Sequence, residues 1–400
     1  MNKKILGICF LAIFLSDMSA QTNQSYISGK YIFTYPDTYT GIEETAEALN
    51  AIWNTFNVFL RFDPDSTQGL NRIVILPDKS SFDIYIKDRI GETRNRYVFL
   101  KYGKRELSEL VLYPQSATAG FKAFEGPVLN RELFLQFIYS YIAEPPLWIR
   151  DGFQAFFETL AYNITTHSVI EGNETPWLET AKLCDSDPVQ KINTEDMLSS
   201  IAGAYEVNRY YPQSWAFVSF LVSSEKEQYQ RFLQEACLLL EDSDGYNART
   251  QQENTAIVLE RFNRFNSAQQ TDTDFSVWLS NQRTFNELTQ SGVTSYNAGN
   301  YALAHNDLFD AIKLRPNDPL TNYYLGLVAY AQKDFITAEL WYRKALEYGG
   351  EISTINWALG LNSFASKRYT EAKVFLETAK SANPARYGTK VLDLINSMPK

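Results

Sequence analysis

Short apolar runs with a strand-like rhythm alternate along this chain with longer stretches of helical rhythm. The segment "IEETAEALNAIWNTFNVFLRF" places Leu49, Ile52, Phe56 and Phe59 on one stripe of a helix. "NRIVILP", "RYVFLKY" and "ELVLYPQ" are brief β-rich runs bounded by proline, glycine or charge. Downstream, the pattern predicts helices over 129–143, 146–162, around 213–224 and around 226–241. "SDGYNARTQQEN" and "NSAQQTDTD" read as polar loops, the second leading into "FSVWLSNQ", a last helix before the pattern changes. A helix, a small sheet and then helices predict an α+β domain over residues 22–282.

From residue 285 the chain repeats itself with a period of 34 residues. With Phe285, Pro319 and Ser353 as first positions, the eighth reads Gly292, Gly326 and Gly360. The seventeenth reads Tyr301, Phe335 and Tyr369, the twentieth Ala304, Ala338 and Ala372, and the twenty-seventh Ala311, Ala345 and Ala379. Small residues let paired helices approach closely, and Pro316, Gly350 and Pro384 stop the second helix of each unit. This pattern resembles the tetratricopeptide repeat (TPR) family. The resemblance implies an all-α solenoid of three repeats over 285–384, closed by a capping helix in 385–400.

Composition narrows the class. Apolar residues make up 45% of the chain, with 26 Phe and 25 Tyr, enough to bury a real core. "MNKK" followed by "ILGICFLAIFL" and "DMSA" has the charge, apolar run and small residues of a signal peptide over residues 1–20, cleaved after Ala20. Cys9 lies inside the apolar run, which argues against a lipid anchor. No later run is long enough to span a membrane, so an exported, periplasmic or secreted, soluble protein is expected. Removing Lys3, Lys4 and Asp17 takes the net charge from −10 to −11, and no basic patch is interleaved with aromatics; nucleic acid is not an expected partner. Cys184 and Cys237 alone would remain after cleavage, either bridged or as buried thiols.

The segments "RELFLQF", "PLWIRDGFQAFFE" and "YYPQSWAFVSFL" resemble the gluzincin, or peptidase MA-like, group of HExxH metallopeptidases. That resemblance implies two helices that hold a zinc ion: two His four residues apart on one, a Glu general base beside the first His, and a third-ligand Glu on the next. Carried over by position, Arg131 stands at the first His, Glu132 at the general base, Leu135 at the second His and Asp151 at the third-ligand Glu. These replacements remove the metal site: leucine has no donor atom, and a guanidinium repels a cation. The chain's two histidines lie elsewhere, His167 in a loop-like stretch and His305 in the first repeat. No metal, cofactor or confident catalytic residue is therefore expected. Arg131 is expected either to pair with Asp151 in place of the metal or to face solvent. There is no GxSxG elbow, phosphate-binding glycine loop or CxxC pair. Tyr210, Tyr211 and Trp215 read as core rather than as a ligand cleft.

The TPR resemblance implies a peptide-binding groove along the first helix of each unit. Its positions carry Asn286, Thr289, Tyr296 and Asn297, then Tyr323, Leu327 and Tyr330, then Trp357, Leu361 and Phe364. Aromatic rings offer contact area at low entropic cost and amides can satisfy a peptide backbone. No Lys or Arg stands at these positions, so an acidic tail is not the expected ligand. Two function classes follow: a non-catalytic scaffold that binds a protein or peptide partner through the repeats, or a hydrolase with an atypical site using Glu132 and Asp151.

Overall fold

The computed structural model describes residues 23–399, apart from 68, 125, 171, 173–175 and 242–248. The leader expected over 1–20 lies outside the described residues. The chain divides into two compact units: Met1–Glu171 with Glu195–Ala204 and Leu221–Asn266, and Gly172–Thr194 with Tyr205–Phe220 and Ser267–Lys400.

In the first unit, β1 (Asn23–Ser28), β2 (Tyr31–Pro36), β3 (Asn71–Ile75), β4 (Tyr97–Leu100) and β5 (Glu109–Leu112) form a mixed sheet of order β1-β2-β3-β5-β4. β2, β3 and β5 run parallel, while β1 and β4 are antiparallel edges. The parallel pairs require crossovers. α1 (Ile42–Leu60) supplies that from β2 to β3, and α2 (Lys79–Ile90) leads from β3 to β4. Asn50 of α1 holds the β1–β2 turn, accepting from the Lys30 N–H at 3.0 Å and donating to Ser28 O at 3.2 Å. Gly29 in that turn has φ +55°, and a Cβ there would lie 2.0 Å from the Asn50 side chain.

Two further helices, α3 (Pro127–Tyr141) and α4 (Leu147–Phe156), pack on α1 through rings. Trp53 meets Phe137 at 4.8 Å, Phe56 meets Phe157 at 4.7 Å, and Phe62 stacks on Tyr141 at 4.5 Å. The helix expected over 146–162 stops earlier. The β-branched run Ile164-Thr165-Thr166 favours a hairpin, in which β6 (Ala161–Asn163) pairs with β7 (Ser168–Ile170). Asn163 closes the turn by accepting from the N–H groups of Thr165 and Thr166 at 2.9 and 3.1 Å. His167 stands exposed in that turn, its Nδ1 2.8 Å from Glu47. The short α6 (Thr194–Ser199) follows, then α8 (Glu227–Leu240) and α9 (Gln251–Phe265), where Trp148 of α4 stacks on Phe232 and Phe232 meets Phe262 edge-on.

The second unit holds α5 (Leu178–Ser186), α7 (Val207–Ser223) as far as Phe220, α10 (Ala268–Asn281) and the helices after it. Residues 172–194, 205–220 and 267–282, grouped by sequence pattern with the α+β domain, thus cluster with the repeats. The polar stretch "NSAQQTDTD", expected as a loop, instead forms the start of α10. Ser267 caps it by accepting from the Gln270 N–H at 3.4 Å, and Thr271 is buried. Phe217 and Phe220 pack edge-on against Phe275, and Tyr210, Tyr211 and Trp215 are core residues.

Three helical hairpins then follow: α11 (Phe285–Asn297) with α12 (Tyr301–Leu314), α13 (Pro319–Ala331) with α14 (Phe335–Glu347), and α15 (Ile352–Ala365) with α16 (Tyr369–Ala382). α17 (Pro384–Asn396) closes the array. The 34-residue period reappears in the backbone. Gly299, Lys333 and Lys367 adopt φ of +79°, +65° and +62° at equivalent turn positions. The next N–H in each turn returns to a carbonyl five residues back: Asn300 to Ser295, Asp334 to Ala329 and Arg368 to Ser363, at 2.8–2.9 Å. A Cβ on Gly292, Gly326 or Gly360 would fall 2.5, 2.5 or 2.6 Å from Leu308, Tyr342 or Leu376. The repeated glycines are therefore required by helix contact.

Candidate functional site

The open face of the α3–α4 pair is where the sequence frame places a metal. Leu133, Phe134, Phe137 and Ile138 turn α3 inward, whereas Arg131, Glu132, Leu135 and Tyr139 remain half-buried. Arg150, Asp151 and Gln154 do the same on α4, and Gln154 donates to Arg131 O at 3.5 Å. The four family-equivalent positions thus share one region, but their polar groups are engaged otherwise than expected. Asp151 accepts from Arg150 Nε at 2.6 Å, and Arg131 makes no ion pair among the described residues. The expected Arg131–Asp151 pair is absent because the adjacent guanidinium already holds the carboxylate. Burial opposes the Arg150 charge most strongly, but the bond to Asp151, the charge of Asp151 and the Tyr139 phenol together outweigh it and the pKa rises.

Glu132 performs a structural task. Its Oε2 accepts from the Phe99 N–H of edge strand β4 at 2.8 Å. Burial pushes its carboxyl up, partly offset by that N–H and by the charges of Arg131 and Arg94. The edge strand is held by a side chain instead of being left open for pairing. Tyr139 completes the face, stacking on Phe99 at 6.0 Å with Lys101 Nζ 4.3 Å from its ring centre. Lys101 in turn donates to Ala143 O at 2.8 Å and Glu144 at 2.6 Å. Among the described residues no group of three His, Cys, Asp or Glu side chains could hold a metal ion. Cys184 and Cys237 are both free and buried. Of the residues missed from sequence, Tyr139 was within reach, eight positions after Arg131 on the same helical face. Phe99 was not, because a strand-to-helix contact leaves no local signature. A cavity of about 760 Å³ beside the first turn of α3 is lined by Lys79, Arg94, Arg96, Tyr97 and Tyr113.

The repeat groove differs in chemistry. Tyr296, Tyr323, Leu327, Tyr330, Trp357, Leu361 and Phe364 are half-buried, and Asn297 is exposed. The rings brace one another. Tyr323 lies 5.7 Å from Tyr324 and 5.9 Å from Tyr342, Tyr296 lies 5.7 Å from Tyr324, and Tyr330 lies 5.8 Å from Phe335. Burial, reinforced by Tyr387 and Tyr296, pushes the Tyr323 phenol up to about 12, and burial likewise raises Tyr296. Three candidate positions are engaged within the chain. Asn286 donates to Glu179 of α5 at 3.3 Å, Thr289 is buried, and Trp357 stacks on Tyr387 of α17 at 5.3 Å. These three side chains are therefore spent on contacts within the chain, which leaves Tyr296, Asn297, Tyr323, Leu327, Tyr330, Leu361 and Phe364 of the expected groove positions.

No protein-family profile matches the chain, and no curated protein does. Among solved structures, the first TPR domain of Spaghetti (RPAP3), bound to the HSP90 peptide SRMEEVD, is similar at 18% identity. That match covers 28% of this chain and 89% of the other, with a TM-score of 0.26. Within the described residues, no helix is long and apolar enough to cross a membrane.

Proposed function

We propose that this chain is an exported, non-catalytic binding protein: a metallopeptidase-like domain without a metal site, joined to a repeat module that captures a peptide segment of a protein partner. The observation that carries this reading is the contrast in how polar groups are used. On the α3–α4 face, Glu132 is engaged with the β4 edge and Asp151 with Arg150, leaving neither carboxylate placed to activate water. In the groove, the hydroxyls of Tyr296, Tyr323 and Tyr330 bond to no protein group among the described residues. They stand on half-exposed rings that can cover a ligand. Export rests on the charge and hydropathy pattern of residues 1–20.

The test combines metal analysis, peptide cleavage and ligand retention on the purified mature protein. Sub-stoichiometric zinc is expected, together with no cleavage that Glu132→Gln removes. Stoichiometric zinc, or cleavage abolished by that change, would establish the hydrolase instead. Tyr323→Ala with Tyr330→Ala is expected to weaken peptide retention at least ~10-fold, since buried aromatic anchors dominate such interfaces. An N-terminus beginning at Gln21 on the secreted or periplasmic form would verify export.

A further inference from the structure

Charge is distributed unevenly over the repeats. α13, from Pro319 to Ala331, and α15, from Ile352 to Ala365, contain no Asp, Glu, Lys or Arg. Their partners do: Glu339, Arg343, Lys344 and Glu347 lie on α14, and Glu371, Lys373, Glu377 and Lys380 on α16. A charged residue docking on α13 and α15 would find no counter-charge on those two helices themselves; the cation beside them is Arg386 of α17, whose charge also reaches Tyr323. The polar groups at the half-buried groove positions of these repeats are the phenols of Tyr296, Tyr323 and Tyr330, with the exposed Asn297 amide beside them. Tyr323 and Tyr296 keep their protons well above neutral pH and can donate to carbonyl oxygens. Leu327 and Leu361 supply apolar floor between the rings.

We propose that the groove takes an uncharged, proline-rich segment of a protein partner in the extended polyproline conformation. This rests on the peptide-binding reading of the groove and adds the chemistry of the ligand. Proline has no N–H, so such a segment asks for donors and few acceptors, and flat pyrrolidine faces pack on aromatic rings. Rings, phenol donors and an absence of carboxylates together meet that demand. The cation at the C-terminal end, Arg386 of α17, donates to Thr354 of α15 at 3.1 Å and lies 5.1 Å from the Tyr387 ring centre, so its guanidinium is already engaged.

The experiment titrates the full mature chain with four labelled probes: a neutral proline-rich dodecapeptide, its alanine-for-proline counterpart, an acidic dodecapeptide and a neutral oligosaccharide. The proline-rich probe is expected to bind tightest, with less than ~2-fold change between low and high salt because no ion pair is formed. Tyr323→Phe and Tyr330→Phe, which keep the packing, are expected to weaken it ~3-fold each through loss of a donor, and the Ala variants more. Equal binding of the alanine counterpart overturns the proline assignment. Salt-sensitive binding of the acidic probe that Arg386→Gln abolishes overturns it too, while leaving a peptide groove standing. Binding of the oligosaccharide alone, or tyrosine changes that alter no binding, removes the peptide reading itself.

Discussion

The α3–α4 pair and the α13–α14 pair are both two-helix units packed through rings, yet they use their outward polar groups in opposite ways. On α3–α4, carboxylate and guanidinium groups are present and bond to each other or to the nearby β4 edge. On α13 the charges are missing, and the rings of Tyr323 and Tyr330 pack on Tyr342 and Phe335 while their hydroxyls make no hydrogen bond to protein among the described residues. A cluster of charged residues in a family-like frame is therefore weaker evidence of function than a set of donors left available. Satisfied charges stabilise geometry, whereas open donors on rigid rings can recognise something.

The largest expected effect comes from the helix contacts of the repeats. Gly326→Val puts side-chain atoms into Tyr342, where a Cβ alone would lie 2.5 Å from that ring. It should destabilise the second unit by about 3 kcal/mol, read by thermal or chemical denaturation. Gly388→Ala, on α17 where nothing lies within 4 Å, should instead gain about 0.5 kcal/mol. Equal responses at the two positions would break the claim that close approach, rather than turn formation, fixes the repeated glycines.

Glu132 gives a smaller effect in the other region. Glu132→Ala leaves the Phe99 N–H without its acceptor and should cost about 1–2 kcal/mol. Glu132→Gln keeps an acceptor oxygen and should cost less. Because burial raises the folded-state pKa, the native protein binds a proton more readily than the unfolded chain. That contribution favours folding below the ordinary carboxylate value and is lost as pH rises through the folded value. The Gln variant should therefore compare better with the parent at pH 7 than at pH 4. The reverse order would show that Glu132 is stabilised as a charged group, as a working general base could be.

The smallest effect contrasts a second glutamate. Glu351 caps α15, accepting from the N–H groups of Ser353 and Thr354 at 3.1 and 2.7 Å. Those side chains and N–H groups hold its carboxyl down at about 2. Its stabilisation is present above the ordinary carboxylate value and is lost as pH falls toward 2, opposite in sign to Glu132. Carbon-detected NMR titration should separate the two carboxyls; a Glu351 midpoint near the ordinary value would remove the contrast.

Local rules made the repeats legible. Glycine at position eight, alanine at twenty and twenty-seven, and a stop residue at thirty-two all state a helix-pair contact in sequence terms, and the backbone repeats with them. The helix expected over 129–143 was also readable, and it forms two residues earlier, over 127–141. The hairpin after α4 and the start of α10 were not: β-branched residues outweighed an apolar run in one, and a serine cap turned a polar stretch helical in the other. Of the two alternatives for Arg131, pairing with Asp151 or facing solvent, the pairing did not form: Asp151 is bonded to the adjacent Arg150, a choice that position in a frame does not state.

The sequence by itself thus determined the helix pairs, their period and the lack of charge on α13 and α15, since these depend on residues within a turn or a fixed repeat of each other. Only the tertiary structure decided that Glu132 holds the β4 edge and Arg150 takes Asp151. It also decided that Asn286, Thr289 and Trp357 are withdrawn from the groove. Those outcomes depend on which donor reaches an acceptor across elements distant in the chain, and hydrogen bonds are won by distance and direction, which the order of residues does not encode.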